Sequence, residues 1–147
     1  MFRGNHPTRV DDKGRLKVPA EFKRLIDEKY NLQFFITSRD GEEAEIYPMP
    51  EWEKIEEKLA GISNFNAAKR KFMDQVNFYG QTAELDAQGR LLLPQILREK
   101  ADLVAGDVTV IGMGTYLRVK NRGAYEDRVQ ANKLTVDDEK ELESLGL

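Results

Sequence analysis

Two aspartates each stand four residues ahead of an arginine in the same short frame. The first frame is Asp11-Asp12-Lys13-Gly14-Arg15-Leu16-Lys17-Val18-Pro19, and the second is Asp86-Ala87-Gln88-Gly89-Arg90-Leu91-Leu92-Leu93-Pro94. A carboxylate at that spacing can hold a guanidinium in a bidentate pair and preset its direction. Donors left over on Arg15 and Arg90 suit a phosphate, or the O6 and N7 of a guanine. The bland alternatives are a local ion pair that stiffens a turn and a contact between subunits. Lys13 and Lys17 flank Arg15, and Arg3 lies upstream of it; long cations beside a tight turn are good phosphate neutralisers. Asp11 and Asp86 would orient their motifs by capping turn N–H groups, while Gly14 and Gly89 would supply a positive φ.

Other chemistry is thinly represented. The single His and the absence of Cys remove most nucleophile–base and metal schemes. None of the three serines sits in a nucleophile elbow. Asp11-Asp12 could act as a carboxylate pair, but the second frame has Asp86-Ala87, so the pairing is not part of the repeated design. His6, next to Pro7, reads as a surface residue. Lys69-Arg70-Lys71 reads as a solvated helix face, and Trp52, Tyr125, Phe65, Phe72 and Phe78 as core or subunit interface. No metal, cofactor or enzymatic activity is expected.

The two frames recur at one fixed offset, so the chain is read as two copies of one small unit. Each copy runs strand, charged turn, strand, short helix, hairpin, helix. In the first, residues 3–10 form a strand, Leu16–Val18 a short strand, and Glu21–Glu28 a helix opened by Pro19 at its first position. Leu32–Thr37 and Ala44–Tyr47 make a hairpin, and Glu51–Leu59 is an amphipathic helix. Ala67–Asp74 is a short basic helix. In the second copy, Phe78–Leu85 leads into the turn and Gln95–Lys100 is helical. Val108–Ile111 and Tyr116–Val119 form the hairpin, and Gly123–Lys133 answers Glu51–Leu59, with Tyr125 near the place of Trp52. The acidic tail is expected to be frayed or loosely helical.

Charge is unevenly spread over the 147 residues. The net value of −3 hides a basic first segment, where residues 1–24 hold seven Lys and Arg against three acids. Residues 42–60 hold seven Glu against two Lys, and the last eleven hold five acids against Lys140. A nucleic-acid footprint depends on the local patch and not on the total. No apolar run approaches a membrane span of ~20 residues and no signal-peptide pattern opens the chain, so a cytoplasmic address is expected. One copy alone is marginal for an independent core. Two copies that interleave their strands would share one.

These residues resemble the MraZ family of bacterial transcription regulators, within the wider SpoVT/AbrB-like class. The likeness lies in Met1-Phe2-x-Gly4, the two D-x-x-x-R motifs, their Gly-Arg-Leu-x-x-Pro continuations, and Tyr79-Gly80. It implies a mainly β fold with short α-helices (α+β), a duplicated AbrB-like swapped-hairpin β-barrel with pseudo-twofold symmetry. It also implies a ring-shaped homo-oligomer that binds double-stranded promoter DNA repeats upstream of the division and cell-wall gene cluster, in the cytoplasm at the nucleoid. Residues 1–50 are then the first repeat, 51–75 a helical connector, 76–120 the second repeat, and 121–147 a C-terminal helix with an acidic tail. DNA contacts are expected from Arg3, Lys13, Arg15, Lys17 and Arg90. Gln88 and Leu92 replace Lys13 and Lys17, so the second turn is the less basic. A structural or protein-interaction ring without specific DNA binding is the alternative, and a small-molecule barrel a more distant one.

Overall fold

The structure is a computed structural model that describes residues 1–147. In chain order its elements are β1 (Asn5–Arg9), β2 (Arg15–Lys17), α1 (Ala20–Lys29), β3 (Gln33–Thr37), β4 (Ala44–Pro48), α2 (Met49–Ala60) and α3 (Ala67–Tyr79). The second half follows with β5 (Gln81–Glu84), β6 (Arg90–Leu92), α4 (Gln95–Lys100), β7 (Asp107–Gly112), β8 (Leu117–Asn121), α5 (Arg122–Ala131) and α6 (Val136–Ser144). Antiparallel strands with short helices make this an α+β protein. No helix is long and apolar enough to cross a membrane.

Six strands form one sheet in the order β1-β7-β8-β4-β3-β5, while β2 and β6 pair as a separate two-stranded ribbon. That order reads the same when each strand is replaced by its counterpart in the other copy. The first strand of each half pairs with the hairpin of the other: β1 with β7, Asn5 opposite Ile111, and β5 with β3, Gln33 opposite Glu84. A 21-residue core cluster accordingly draws on both halves, from Phe2, Leu16 and Phe34 to Leu91, Leu103 and Val119. Neither half could bury this surface alone. The sheet edges are the short strands β1 and β5, and Pro7 in β1 is tolerated because an edge strand has one side without a ladder.

Alternation places the layers. Phe34 and Ile36 of β3, Ala44 and Ile46 of β4, Val108 and Val110 of β7, and Leu117 and Val119 of β8 face the core. On the opposite face α2 and α3 cover the first hairpin, where Trp52 and Val76 close over Tyr47. Helix α5 lies on the second hairpin, against β7 and β8. In α1 the buried residues are Phe22 and Ile26, about one helical turn apart. Pro19 precedes the helix as its N-cap with an extended ψ of 142°, one position earlier than expected, and Pro94 does the same for α4.

Three local expectations change. Helix α3 runs through Phe78 and Tyr79, so the second leading strand begins only at Gln81. Val76 and Tyr79, three residues apart, are its buried residues, and that shared face continues the helix past the expected strand start. Phe78 points outward and Phe65 lies in the loop before α3, so these two aromatics are exposed and not core. The acidic tail is an ordered helix. Thr135 and Asp138 form a reciprocal capping box at its start, although none of its residues is buried.

The ribbon gives a direct stability test. Leu91 is fully buried and Leu92, its neighbour, is exposed. Leu91→Ala should lower the unfolding free energy by about 2–5 kcal/mol, seen as a lower denaturant midpoint at unchanged slope. Leu92→Ala should cost less than about 0.5 kcal/mol.

Candidate nucleic-acid interface

Each charged turn is built around one carboxylate. Asp11 Oδ1 accepts from the backbone N–H of Lys13 at 3.0 Å and of Arg15 at 2.9 Å, and its Oδ2 accepts from Arg15 Nε at 2.8 Å. Asp86 repeats this with Gln88 and Arg90, at 2.9 Å for both backbone contacts and 3.1 Å for Arg90 Nε. The Gly14 and Gly89 N–H groups each donate to the aspartate carbonyl of their own turn, at 3.0 Å. These glycines have φ of +83° and +74°, a conformation that L side chains rarely adopt.

The Asp–Arg pair is not the bidentate fork expected from the spacing. Oδ1 is taken by two backbone donors, so only Oδ2 remains for the side chain, and it meets Nε. Arg15 therefore keeps both terminal nitrogens, its side chain 29% exposed. Arg90 is placed alike, with Nη1 also 4.0 Å from Asp11 Oδ2 of the other turn. That contact makes the two turns neighbours.

The β2–β6 ribbon joins them. Leu93 N–H donates to Gly14 O and Val18 N–H donates to Gly89 O, both at 3.0 Å. Each turn is thus anchored to the strand end of the other half. Within the ribbon Arg15 stands opposite Leu92, Leu16 opposite Leu91, and Lys17 opposite Arg90. Leu16 and Leu91 enter the core, which leaves Arg15, Lys17, Arg90 and Leu92 on the outer side. Lys17 Nζ donates to Gln88 O at 2.6 Å, so a cation from the first motif covers the less basic second turn.

Two further cations belong to this surface and were not picked out from the sequence. A Cβ on Gly14 would lie 2.2 Å from the Arg98 guanidinium carbon, and one on Gly89 would lie 3.2 Å from Lys23 Cδ. Helices α1 and α4 thus each lay a cation across the turn of the opposite half. The signal was present: Lys23 follows Pro19 by four residues, as Arg98 follows Pro94. Lys23 is paired with Asp27 at 2.9 Å, whereas Arg98 bonds only the Leu93 carbonyl at 3.1 Å.

Lys13, Arg15, Lys17 and Arg90 are therefore brought together with Asp11, Gly14, Asp86 and Gly89. Arg3 is not. It precedes β1 while the turn follows it, and it lies beside Glu21 and Arg24 of α1. His6 is half-buried, edge-on to the Phe22 ring and 3.2 Å from a Glu21 oxygen. No group of three or more His, Asp or Glu side chains is placed to hold a metal ion.

A duplicated α+β unit with interleaved strands and two matched Asp–Arg turns on one surface defines the structural class. The chain belongs to the MraZ family: residues 1–75 and 80–143 match the family model described as "MraZ protein, putative antitoxin-like". A relative from Acidobacterium capsulatum is 63% identical over 147 residues, covering the whole of both chains, and one from Koribacter versatilis is 49% identical, again over the full length of both. A relative from Syntrophobacter fumaroxidans is 36% identical over 90% of this chain and 87% of its own. Each of these relatives bears the name transcriptional regulator MraZ.

The carboxylates also set a pH dependence. The backbone N–H of Arg15 is the largest influence holding Asp11 below the usual range, and that of Arg90 does the same for Asp86. A depressed folded pKa contributes stability that is in place above the unfolded aspartate value of about 3.9 and is lost as pH falls through the lower folded value. Both carboxyls should titrate below the ordinary value in carbon-detected NMR, and stability should decline below about pH 4. Asp11→Asn should flatten part of that decline; an Asp11 titrating at the ordinary value would contradict the geometry.

Proposed function

We propose that this protein is a DNA-binding transcriptional regulator whose two charged turns and connecting ribbon read double-stranded DNA. The observation that carries the reading is the pair of matched turns on one surface, each holding an arginine by Nε; Arg15 keeps both terminal nitrogens free, and Arg90 Nη1 lies 4.0 Å from Asp11 Oδ2. The relatives' shared name supports the regulatory role. Gly14 and Gly89 flank opposite ends of the ribbon, with three paired strand residues between them, a span of four rises or about 13 Å. A B-DNA major groove is about 12 Å wide and admits a two-stranded β-ribbon. Arg15 and Arg90 approach base edges, while Lys13, Lys17 and Arg98 neutralise flanking phosphates. Arg3, at the far end of β1, contributes at most to phosphate contacts outside the groove.

One protomer offers a single pair of turns, enough for a short element. A ring-shaped homo-oligomer would align several such pairs with promoter repeats and gain by avidity. The expected operator is the set of repeats upstream of the division and cell-wall gene cluster, with the protein nucleoid-associated in the cytoplasm.

Salt titrations on cognate and scrambled duplex test the division of labour, with oligomer size checked for every variant. Lys13→Ala should weaken both duplexes alike and make the log K against log salt slope shallower by about one unit. Arg15→Ala should cost about 1–3 kcal/mol on the cognate duplex and reduce its advantage over the scrambled one. Arg90→Ala should have the smaller effect, because Gln88 and Leu92 surround it. Parental binding of both duplexes by Arg15→Ala would remove the charged turn as the reader.

A further inference from the structure

The two halves differ most on the outer face of the sheet. Pro48 and Asn121 cap α2 and α5 at equivalent positions. One residue back, Tyr47 aligns with Lys120; further on, Trp52 aligns with Tyr125 and Ile55 with Arg128. In the first half this set makes an apolar cluster, with Tyr47 at 5.0 Å from Trp52 and stacked on Tyr116 at 4.5 Å. In the second half the same positions hold two cations beneath and along α5.

Lys120 is the unusual one. It is only 5% exposed, and its ammonium has neither a hydrogen-bond acceptor nor an ion-pair partner in the chain. Lysine is almost never this buried without a partner, because a desolvated charge is costly. No fully enclosed side-chain nitrogen or oxygen lacks a partner, so the ammonium reaches solvent at its tip. It lines a hollow of about 380 Å³ together with Lys100, Arg128, Asn121, Glu42 and Asp102. Both acids are already engaged: Glu42 lies 3.7 Å from Arg128 Nη1, and Asp102 Oδ2 accepts from Asn121 Nδ2 at 3.3 Å. Lys100 and Lys120 have no such partner. The hollow also touches the start of α5, a ten-residue helix, at Asn121 and Ala124. Asn121 Oδ1 satisfies only the Ala124 N–H, at 3.0 Å. The preceding N–H groups, at Arg122 and Gly123, have no acceptor within the helix, and its dipole favours negative charge there.

We infer that Lys120, Lys100, Arg128 and the α5 N-terminus form a binding site for a small oxyanion, a phosphate or a carboxylate group. Lys120 supplies the innermost charge, Lys100 and an Arg128 shared with Glu42 the rim, and the free N–H groups at the start of α5 the directional donors. The site is separate from the charged turns and requires no DNA.

The test uses the full chain with inorganic phosphate and, in a parallel arm, oxalate, each titrated by calorimetry and thermal unfolding at constant ionic strength. The parent should bind one equivalent and rise in melting temperature. Lys120→Met keeps the buried aliphatic length and should fold, with at least a tenfold loss of affinity. Arg128→Gln, on the exposed helix surface, should weaken binding several-fold and guards against a misfolded Lys120 variant. Phosphate binding lost in Lys120→Met identifies a phosphate-type ligand, and oxalate binding alone, lost in the same way, identifies a carboxylate. No response to either anion in the parent overturns the site. So does an affinity that is unchanged in both variants.

Discussion

Two backbone hydrogen bonds hold the rest of this molecule in place: Leu93 N–H to Gly14 O and Val18 N–H to Gly89 O. Each connects the bend of one half to the strand end of the other. A buried carbonyl without such a donor would be costly, so each turn, although closed by its own aspartate, has its glycine carbonyl satisfied only by the other half. Around these bonds everything else is arranged in reciprocal fashion. Leu16 and Leu91 meet across the ribbon, Lys23 and Arg98 lie over each other's turns, and each leading strand completes the opposite hairpin. The charged surface and the hydrophobic core are two sides of one crossing, since the alternation that buries Leu16 and Leu91 is what turns Arg15, Lys17 and Arg90 outward.

Duplication with divergence then separates the faces. The two turns keep the same hydrogen bonds and a left-handed glycine, because the aspartate, glycine and arginine that make them are kept. Side chains whose tasks are not geometric have drifted. Lys13 and Lys17 have become Gln88 and Leu92, and the second turn draws its extra charge from Lys17 through the Gln88 carbonyl. On the outer face, an aromatic cluster has become a cationic hollow. The helix that follows it has changed as well: α3 packs on the sheet through Val76 and Tyr79, whereas α6 buries nothing.

Much of this could be read in the chain itself, because turn chemistry and strand alternation are local. Asp-x-x-Gly-Arg required a tight turn with a left-handed glycine, and the repeat pointed to shared strands. The single Nε contact was not readable: it depends on two backbone N–H groups claiming Oδ1, which only the folded turn reveals. The extension of α3 over Phe78 and Tyr79 depends on Tyr79 packing across Gly41 and on Phe35 pressing against Gly80, both non-local contacts. Lys23 and Arg98 follow their prolines at one spacing, yet their place over the opposite turn comes from the crossing. Lys120 reads as an ordinary surface lysine until α5 is laid upon it.

The exchange of leading strands has a consequence for how the chain comes to be folded. Strand β1 is made about a hundred residues before its pairing partner, β7. Until residues 81–93 are made, the first hairpin has no β5 at its edge and the first turn has no Leu93 to hold it. The emerging half is a set of amphipathic strands with an open edge and an unfinished core, the condition in which chains pair with the wrong neighbour. Two half-made chains on one message present complementary edges, and exchange between them would use the contacts of the finished molecule. Pro7 within β1 removes a ladder donor from that edge and makes it a poorer template for such exchange.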